Sequence, residues 1–432
     1  MTHWLAVEDT SVSAPSRKGG SRQILVASVG NIVEWYDWHV YTFLATYIAA
    51  AVFPKGSGNS LLPLLSTFAV FAVGFFARPL GSLLLGAVAD RRGRRAALTV
   101  TVLLMGASCF VVALTPTFAA AGPVGPVVLV LARLLQGLSA GGEFAASTTL
   151  LAESAGPGRR GLFSSFHYVA ATAGQVLASG TAALLVLVLD DGAMHTWGWR
   201  VPFLVGALLS LLGLWVRYAA QETLDGERPE RRTGLFEGLR TQPRASLLIC
   251  GITVGGTIAF YTWTTYLPTY AQVNAGFDKG RSLLVGTVSL IFFGLVQPLG
   301  GLLSDRVGRR PLLLGFAGGF AVLCVPLLHM IDDSFWSLLL VQCTGLLLLT
   351  GYTSIAAAVH AEVFPARVRA AGVGFPYSLT VALFGGTAPY VGTLLKDQGL
   401  VGAFPWYVAG LCLLSGVVYL RLPEGAFKQL DR

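Results

Sequence analysis

The sequence predicts an all-α membrane protein, with twelve transmembrane helices in two pseudo-symmetric six-helix bundles. Three observations carry this. Of 432 residues, 54% are apolar and only 12% charged, where soluble domains carry about 25% charged residues. Twelve apolar runs approach the roughly 20 residues that a helix needs to cross a bilayer. Residues 86–95 (GAVADRRGRR) return as residues 301–310 (GLLSDRVGRR), so the chain is built twice.

Residues 1–23 are Ser-rich and basic, and read as a disordered N-terminal tail. Residues 24–220 form the first bundle, with spans at 24–51, 62–89, 96–116, 125–152, 161–189 and 200–220. Residues 221–244 are the only long polar stretch in the interior and read as the linker between bundles. An amphipathic piece near residues 235–239 suits a membrane surface. Residues 245–432 hold the second bundle and a short tail, with spans at 245–272, 281–304, 311–331, 335–360, 368–395 and 401–422.

Charge orients the array. The net charge of +8 could suggest nucleic acid, but its distribution does not. Of 30 Lys and Arg, 23 fall in the termini and in every second loop, and the opposite loops carry only Lys55, Arg200, Lys279, Arg281 and Lys396. That alternation places both termini in the cytoplasm of a multi-pass protein of the cell's inner (plasma) membrane. The polar start, followed by a run too long and too charged for an h-region, argues against a cleaved signal peptide. The cysteines (Cys109, Cys250, Cys324, Cys343, Cys412) all fall in apolar runs without metal or redox spacing and read as small packing residues.

The repeat has content. In each copy Gly stands four residues before Asp90 or Asp305, and Gly-Arg-Arg follows, with Arg94 and Arg309 in equivalent places. A glycine there permits close helix approach, and a carboxylate at a membrane exit can pair with an arginine or a helix end. A second echo runs in the same order. Glu153 is followed by Arg160 and Tyr168, and Glu362 by Arg369 and Tyr377, at seven and fifteen residues in both copies.

Polar groups inside spans are costly and mark cavities or partners. The first span places Asn31, Glu34, Asp37 and Tyr41 on one helical face, with His39 on another. Two carboxylates one turn apart suit a proton-coupling pair. The fourth span carries Arg133, Gln136, Ser139, Glu143 and Ser147, in which Arg133 and Glu143 can pair across helices. The fifth carries Ser164, Tyr168, Thr172 and Gln175, with His167 beside them, and the seventh a hydroxyl stripe from Tyr261 to Tyr270. Gln297, Tyr352, Tyr377 and Thr380 add to the second half. Arg78, deep in the second span, needs an anion, which Glu34, Asp37 or a substrate carboxylate could supply. Arg200, between Trp197 and Val201, reads equally as an interfacial anchor or a binding residue.

Other classes lose support. Gly137-Leu-Ser-Ala-Gly141 matches a hydrolase nucleophile pattern, but it lies inside a span and its glycine spacing fits helix packing. There is no zinc-protease, P-loop or dinucleotide motif, so neither an enzyme, an ATP-driven pump nor a metal site is expected.

The stretches Asn31-Ile-Val-Glu-Trp-Tyr-Asp37, Arg78-Pro-Leu-Gly81, the Asp90 loop, Arg133-Leu-Leu-Gln-Gly137, Gly141-Gly-Glu143 and Trp197-Gly-Trp-Arg-Val-Pro202 resemble the major facilitator superfamily. More narrowly they resemble its metabolite:proton symporters. Phe260-Tyr-Thr-Trp-Thr-Thr-Tyr266, Glu362-Val-Phe-Pro-Ala-Arg-Val-Arg369 and Phe384-Gly-Gly-Thr-Ala388 agree. Gly351-Tyr-Thr-Ser-Ile355 and residues 384–407 look most like carriers of α-ketoglutarate. The chain departs from that pattern at His39, Arg92 and His360, where it shows Tyr, His and Lys. The resemblance implies alternating access by two rocking bundles, and proton symport of a small organic acid driven by the proton gradient without a cofactor. It implies that Arg78 and Arg200 matter, and that Asp90 and Arg94 belong to a latch on the cytoplasmic side. On this reading Tyr261, Tyr266, Gln297 and Tyr377 line the substrate site, Glu34 and Asp37 handle the proton, and Arg133, Glu143, Glu153, Asp305, Arg309 and Glu362 gate or brace. The partners are the acid, the proton and lipid, with a monomer expected. An osmolyte, citrate or shikimate carrier, or a drug/proton antiporter, is the alternative on the same frame.

Overall fold

A computed structural model describes residues 17–54, 61–92, 94–141, 158–221, 240–364 and 369–426. Twelve spans follow in order. In the first half, α1 is Arg17–Phe43, resumed after Leu44 as Ala45–Val52. Next come α2 Leu62–Arg92, α3 Arg94–Leu114, α4 Val124–Ala140, α5 Arg160–Val188 and α6 Val201–Gln221. In the second half, α7 is Pro243–Tyr261, a π turn Thr262–Tyr266, then Leu267–Ala275. After it come α8 Lys279–Val307, α9 Arg309–His329, and α10 as Phe335–Thr353 resumed as Ala356–Val363. The last two are α11, as Arg369–Thr380, a π turn Val381–Gly385 and Ala388–Asp397, and α12 Ala403–Arg421.

The halves repeat their packing. Helix α1 meets α5 and α6, as α7 meets α11 and α12; α2 packs on α4, as α8 packs on α10; α3 packs on α4 and α6, as α9 packs on α10 and α12. The bundles meet where α5 lies along α8 and α2 crosses α11. Small residues permit this: a Cβ on Gly161 of α5 would come within 2.5 Å of the Gly301 carbonyl of α8. Leu184, Val188, Leu208, Leu247, Leu295, Val322, Trp336 and Trp406 are exposed around the perimeter. Hydrocarbon covers such a surface in a membrane, where apolar side chains face outward.

Two features depart from the expected spans. The first helix begins at Arg17, so residues 17–23 extend it rather than join a tail. Helical hydrogen bonding does not stop where hydropathy changes. The spans α1, α7, α10 and α11 are also interrupted along their length. Each π turn inserts one extra residue per turn, which rotates side chains and recurs at functional positions. The fourth span is described only to Gly141, and the linker from 222 to 239, including the amphipathic piece, lies outside the described residues.

Candidate functional site

Four buried polar side chains form a network inside the first half. Asp37 of α1 accepts hydrogen bonds from Gln136 Nε2 at 2.7 Å on both its oxygens. It also accepts from the Cys109 thiol of α3. Gln136 in turn accepts from Arg133, whose guanidinium lies 3.7 Å over the Tyr41 ring. Arg133 is fully buried and Asp37 nearly so. The amide separates the two charges while bonding both, so neither is buried without a polar partner. Cys109 therefore does more than pack. Arg133 finds Gln136 one turn along its own helix; its expected partner Glu143 lies outside the described residues.

A second cluster sits where the halves meet. The Arg78 guanidinium of α2 lies 4.2 Å over Trp38 and 4.6 Å over Phe75. It also lies within electrostatic reach of the Tyr261 hydroxyl of α7. Its Nε has no partner among the described residues. Phe75 meets Tyr261 edge-on at 5.2 Å, so the cation is framed by rings of both halves. Tyr261 is also within electrostatic reach of Glu34. Tyr168 of α5 lies beside Tyr377 of α11, and Tyr261 and Tyr352 lie close to both. The two tyrosines that echo each other in the sequence thus meet in space. Gly385, in the π turn of α11, makes room: a Cβ there would come within 2.5 Å of Tyr261 Cδ2.

His39 belongs to this cluster. Its Nδ1 is 2.9 Å from the Trp35 carbonyl, its ring lies parallel to Tyr261 with centroids 6.3 Å apart, and its Nε2 is 2.9 Å from Gln175 Nε2. Gln175 of α5 continues to Thr264 Oγ1 of α7 at 3.2 Å. The sequence places His39 off the carboxylate face of the first span, and that position is what turns it toward the other half. Tyr168, Tyr352, His39 and Gln175 were visible as intramembrane polar residues, but nothing in one sequence says which stripes converge.

Other expected residues stand elsewhere. Arg200 donates to the Thr196 carbonyl at 2.5 Å and the Thr115 carbonyl at 3.0 Å, with Trp199 beneath it at 4.2 Å. It ties the end of α3 to the start of α6 on the face away from the basic loops. Tyr266 bonds Thr393 at 3.2 Å and packs on Phe68, Tyr270 and Phe404. Gln297 bonds Thr353 at 2.8 Å and is fully buried between α8 and α10. Asp37 and Glu34, one turn apart, have separate surroundings: Asp37 is held by Cys109 and Gln136, Glu34 lies toward Tyr261.

The basic face is closed by a network across the halves. Asp305 of α8 accepts from the backbone N–H of Gly161 and Leu162 at 2.8 and 2.9 Å, capping the start of α5. Arg309 bonds Asp305 at 2.9 Å. Glu362 of α10 pairs with Arg160 at 2.9 Å and lies 3.7 Å from Arg309 Nε. Behind it, Glu424 accepts from the backbone N–H of Arg309 and Arg310 at 2.9 and 3.0 Å. Partial burial pushes the Glu424 carboxyl up, but these N–H donors, that of Ala426 and the Arg309 charge outweigh it, holding the group below its ordinary range. The side chains of Asp90 and Arg94, with all of Glu153, lie outside the described residues.

A family model described as Major Facilitator Superfamily matches residues 29–375 and 282–430. The α-ketoglutarate permease of Escherichia coli strain K12 is 41% identical over 403 residues, covering 92% of this chain and 93% of that protein. The citrate-proton symporter of Salmonella typhi is 34% identical, covering 95% and 97%. Among solved structures, the proton:xylose symporter XylE superposes with a TM-score of 0.72 at 18% identity, covering 95% of this chain and 97% of that one. With its two matched bundles and these relatives, the chain belongs to the major facilitator superfamily.

Proposed function

We propose that this chain carries a small dicarboxylate, α-ketoglutarate first, together with a proton by alternating access. One observation supports it above the rest: Arg78 stands where the halves meet, framed by aromatic rings of both and close to a tyrosine hydroxyl. A guanidinium pairs a carboxylate bidentately, and the hydroxyls of Tyr261, Tyr377 and Tyr168 are donors for the second carboxylate. The 41% identity to the α-ketoglutarate permease selects the substrate class. Glu34, on the Tyr261 side, is the carboxyl placed to relay a proton between water and the site, and Asp37 braces the first half. Arg200 anchors the outer face. The basic face is cytoplasmic and carries both termini, and the proton gradient drives uptake without a cofactor.

The test is labelled uptake into proteoliposomes. An inward proton gradient is expected to accumulate α-ketoglutarate, an uncoupler to abolish accumulation, and succinate to compete better than citrate, proline betaine or shikimate. Uptake indifferent to the gradient overturns the reading. Preference for citrate moves the chain toward the citrate-proton symporter, and preference for a zwitterion toward an osmolyte carrier.

A further inference from the structure

We propose that His39 is the proton site coupled to Arg78, and that its protonation releases the hydrogen bond by which Gln175 ties the two halves together. This deepens the dicarboxylate symport reading and rests on it.

The hydrogen bonds define the present state of the ring. A backbone carbonyl only accepts, so His39 Nδ1, 2.9 Å from the Trp35 oxygen, carries a hydrogen. An amide nitrogen only donates, so Nε2, 2.9 Å from Gln175 Nε2, is an acceptor. His39 is the neutral Nδ1–H tautomer. The second Gln175 N–H reaches Thr264 Oγ1 at 3.2 Å, and Thr264 spends its own proton on the Phe260 carbonyl at 2.8 Å. Gln175 Oε1 has no partner among the described residues, and Gln175 is 0% exposed. The amide therefore leaves an acceptor idle in a dry interface.

A proton on Nε2 reverses this. The imidazolium presents N–H where the amide also presents N–H, so the amide must turn its idle oxygen to the ring. Its N–H groups then leave Thr264, whose hydroxyl can meet the amide oxygen only by giving up the Phe260 carbonyl, so the network is one hydrogen bond poorer. No covalent bond changes, and the proton comes from water. The bond lost joins α5 of the first half to the π turn of α7 in the second.

The surroundings tie this proton to the anion. Facing His39 are Trp35 and Phe43 on its own helix, Tyr261 on α7 and Gln175 on α5. Two cations lie near the ring: Arg78 of α2, over Trp38 and over the Phe75 that meets Tyr261, and Arg133 of α4, 5.4 Å over Trp38. Arg133 is already linked through Gln136 to Asp37. Arg78 is the cation a substrate would cover. Like charges repel, so an imidazolium forms most readily when a carboxylate lies on Arg78. By reciprocity the imidazolium strengthens carboxylate binding by the same factor. Anion and proton then load together, and their joint presence loosens the interface.

The full chain is tested with α-ketoglutarate as the probe. Proton uptake on binding is read with a pH dye in weak buffer, exchange in proteoliposomes without a gradient, and accumulation with one. Wild type is expected to take up protons on binding, with affinity rising about tenfold per unit fall in pH above the imidazole midpoint. Protein labelled with 15N-histidine is expected to show imidazolium bands in the infrared difference spectrum on binding. His39→Gln is expected to lose proton uptake and accumulation together, with exchange slowed because no proton frees the Gln175 bridge. Gln175→Leu, which keeps the imidazole and severs the bridge, is expected to keep proton uptake while accumulation falls.

Wild-type proton uptake in His39→Gln overturns the proposal. So does a wild type that binds and accumulates substrate without imidazolium bands. Neither result touches the symport reading, which fails instead if wild type binds no dicarboxylate or ignores the gradient. Should His39→Gln not fold, the spectrum decides, recorded on a chain whose other histidines are replaced: bands that survive support His39, and bands that vanish overturn it.

Discussion

At the scale of single residues, the argument turns on what a charge buried in a membrane is bonded to. Arg78→Ala removes the guanidinium framed by the rings of both halves, and is expected to cut transport by at least about a hundredfold, the worth of a charged hydrogen-bond pair of ~3 kcal/mol. Arg78→Lys keeps the charge without the planar fork and is expected to fall between. Concentration-dependent uptake separates the two. Gln136→Leu tests a different role. It leaves Asp37 and Arg133 unbridged in a buried network, so a loss of about 3–5 kcal/mol is expected, read as a lowered melting temperature. The charged members of both clusters were legible in the sequence, because ionisable residues stand out against apolar runs. Their partners were not. Cys109 looks like any small apolar residue, Gln136 like one polar side chain among several, and His39 was placed by helical angle alone, which cannot say which neighbouring helix that angle meets.

At the scale of elements, hydropathy made the twelve spans legible and the repeat made their pairing legible. The breaks were not, since neither the π turns nor the interruptions at Leu44 and Ser354-Ile355 carry a compositional mark. Glycines show how tightly these elements fit. A Cβ on Gly137 of α4 would lie 2.0 Å from the Gly74 carbonyl of α2, and one on Gly141 2.0 Å from the Arg78 carbonyl. The pentapeptide that mimics a hydrolase motif is thus a packing surface. Gly137→Ala cannot be relieved by a side-chain rotation, because the obstacle is backbone, and a loss of at least about 1–3 kcal/mol is expected in thermal melting. The join of α12 to α9 is pH-sensitive. Glu424 is held below its ordinary range, so its contribution is present above the unfolded carboxylate range near 4.3 and is lost as pH falls through the lower folded value. Melting curves of wild type and Glu424→Gln are expected to differ at neutral pH and converge in acid.

At the scale of the whole molecule, two interfaces oppose each other. The Gln175 bridge joins the halves at mid-depth, where Tyr168 and Tyr377 also lie side by side, and the Asp305, Arg309, Glu362 and Arg160 network shuts the basic face. Rocking must break the second without dissolving the first half's brace around Asp37. Asp305 bears on both a helix start and an arginine, so Asp305→Asn removes a charge attracted by each while preserving shape. Glu362→Gln leaves Arg160 and Arg309 facing each other without the carboxylate between them. Each change is expected to shift the equilibrium toward an open basic face by about 1–2 kcal/mol, a roughly five- to thirtyfold change in population. Spin labels at Arg91 and Arg306, exposed at the basic ends of α2 and α8, report that opening as a longer distance in a background lacking Cys250 and Cys343. A distance distribution unchanged in both variants would show that the network caps its helices without holding the face shut. If the distance lengthens, the same proteins are expected to release substrate faster to the basic side while binding it at Arg78 as before, because the latch and the binding cluster share no side chain.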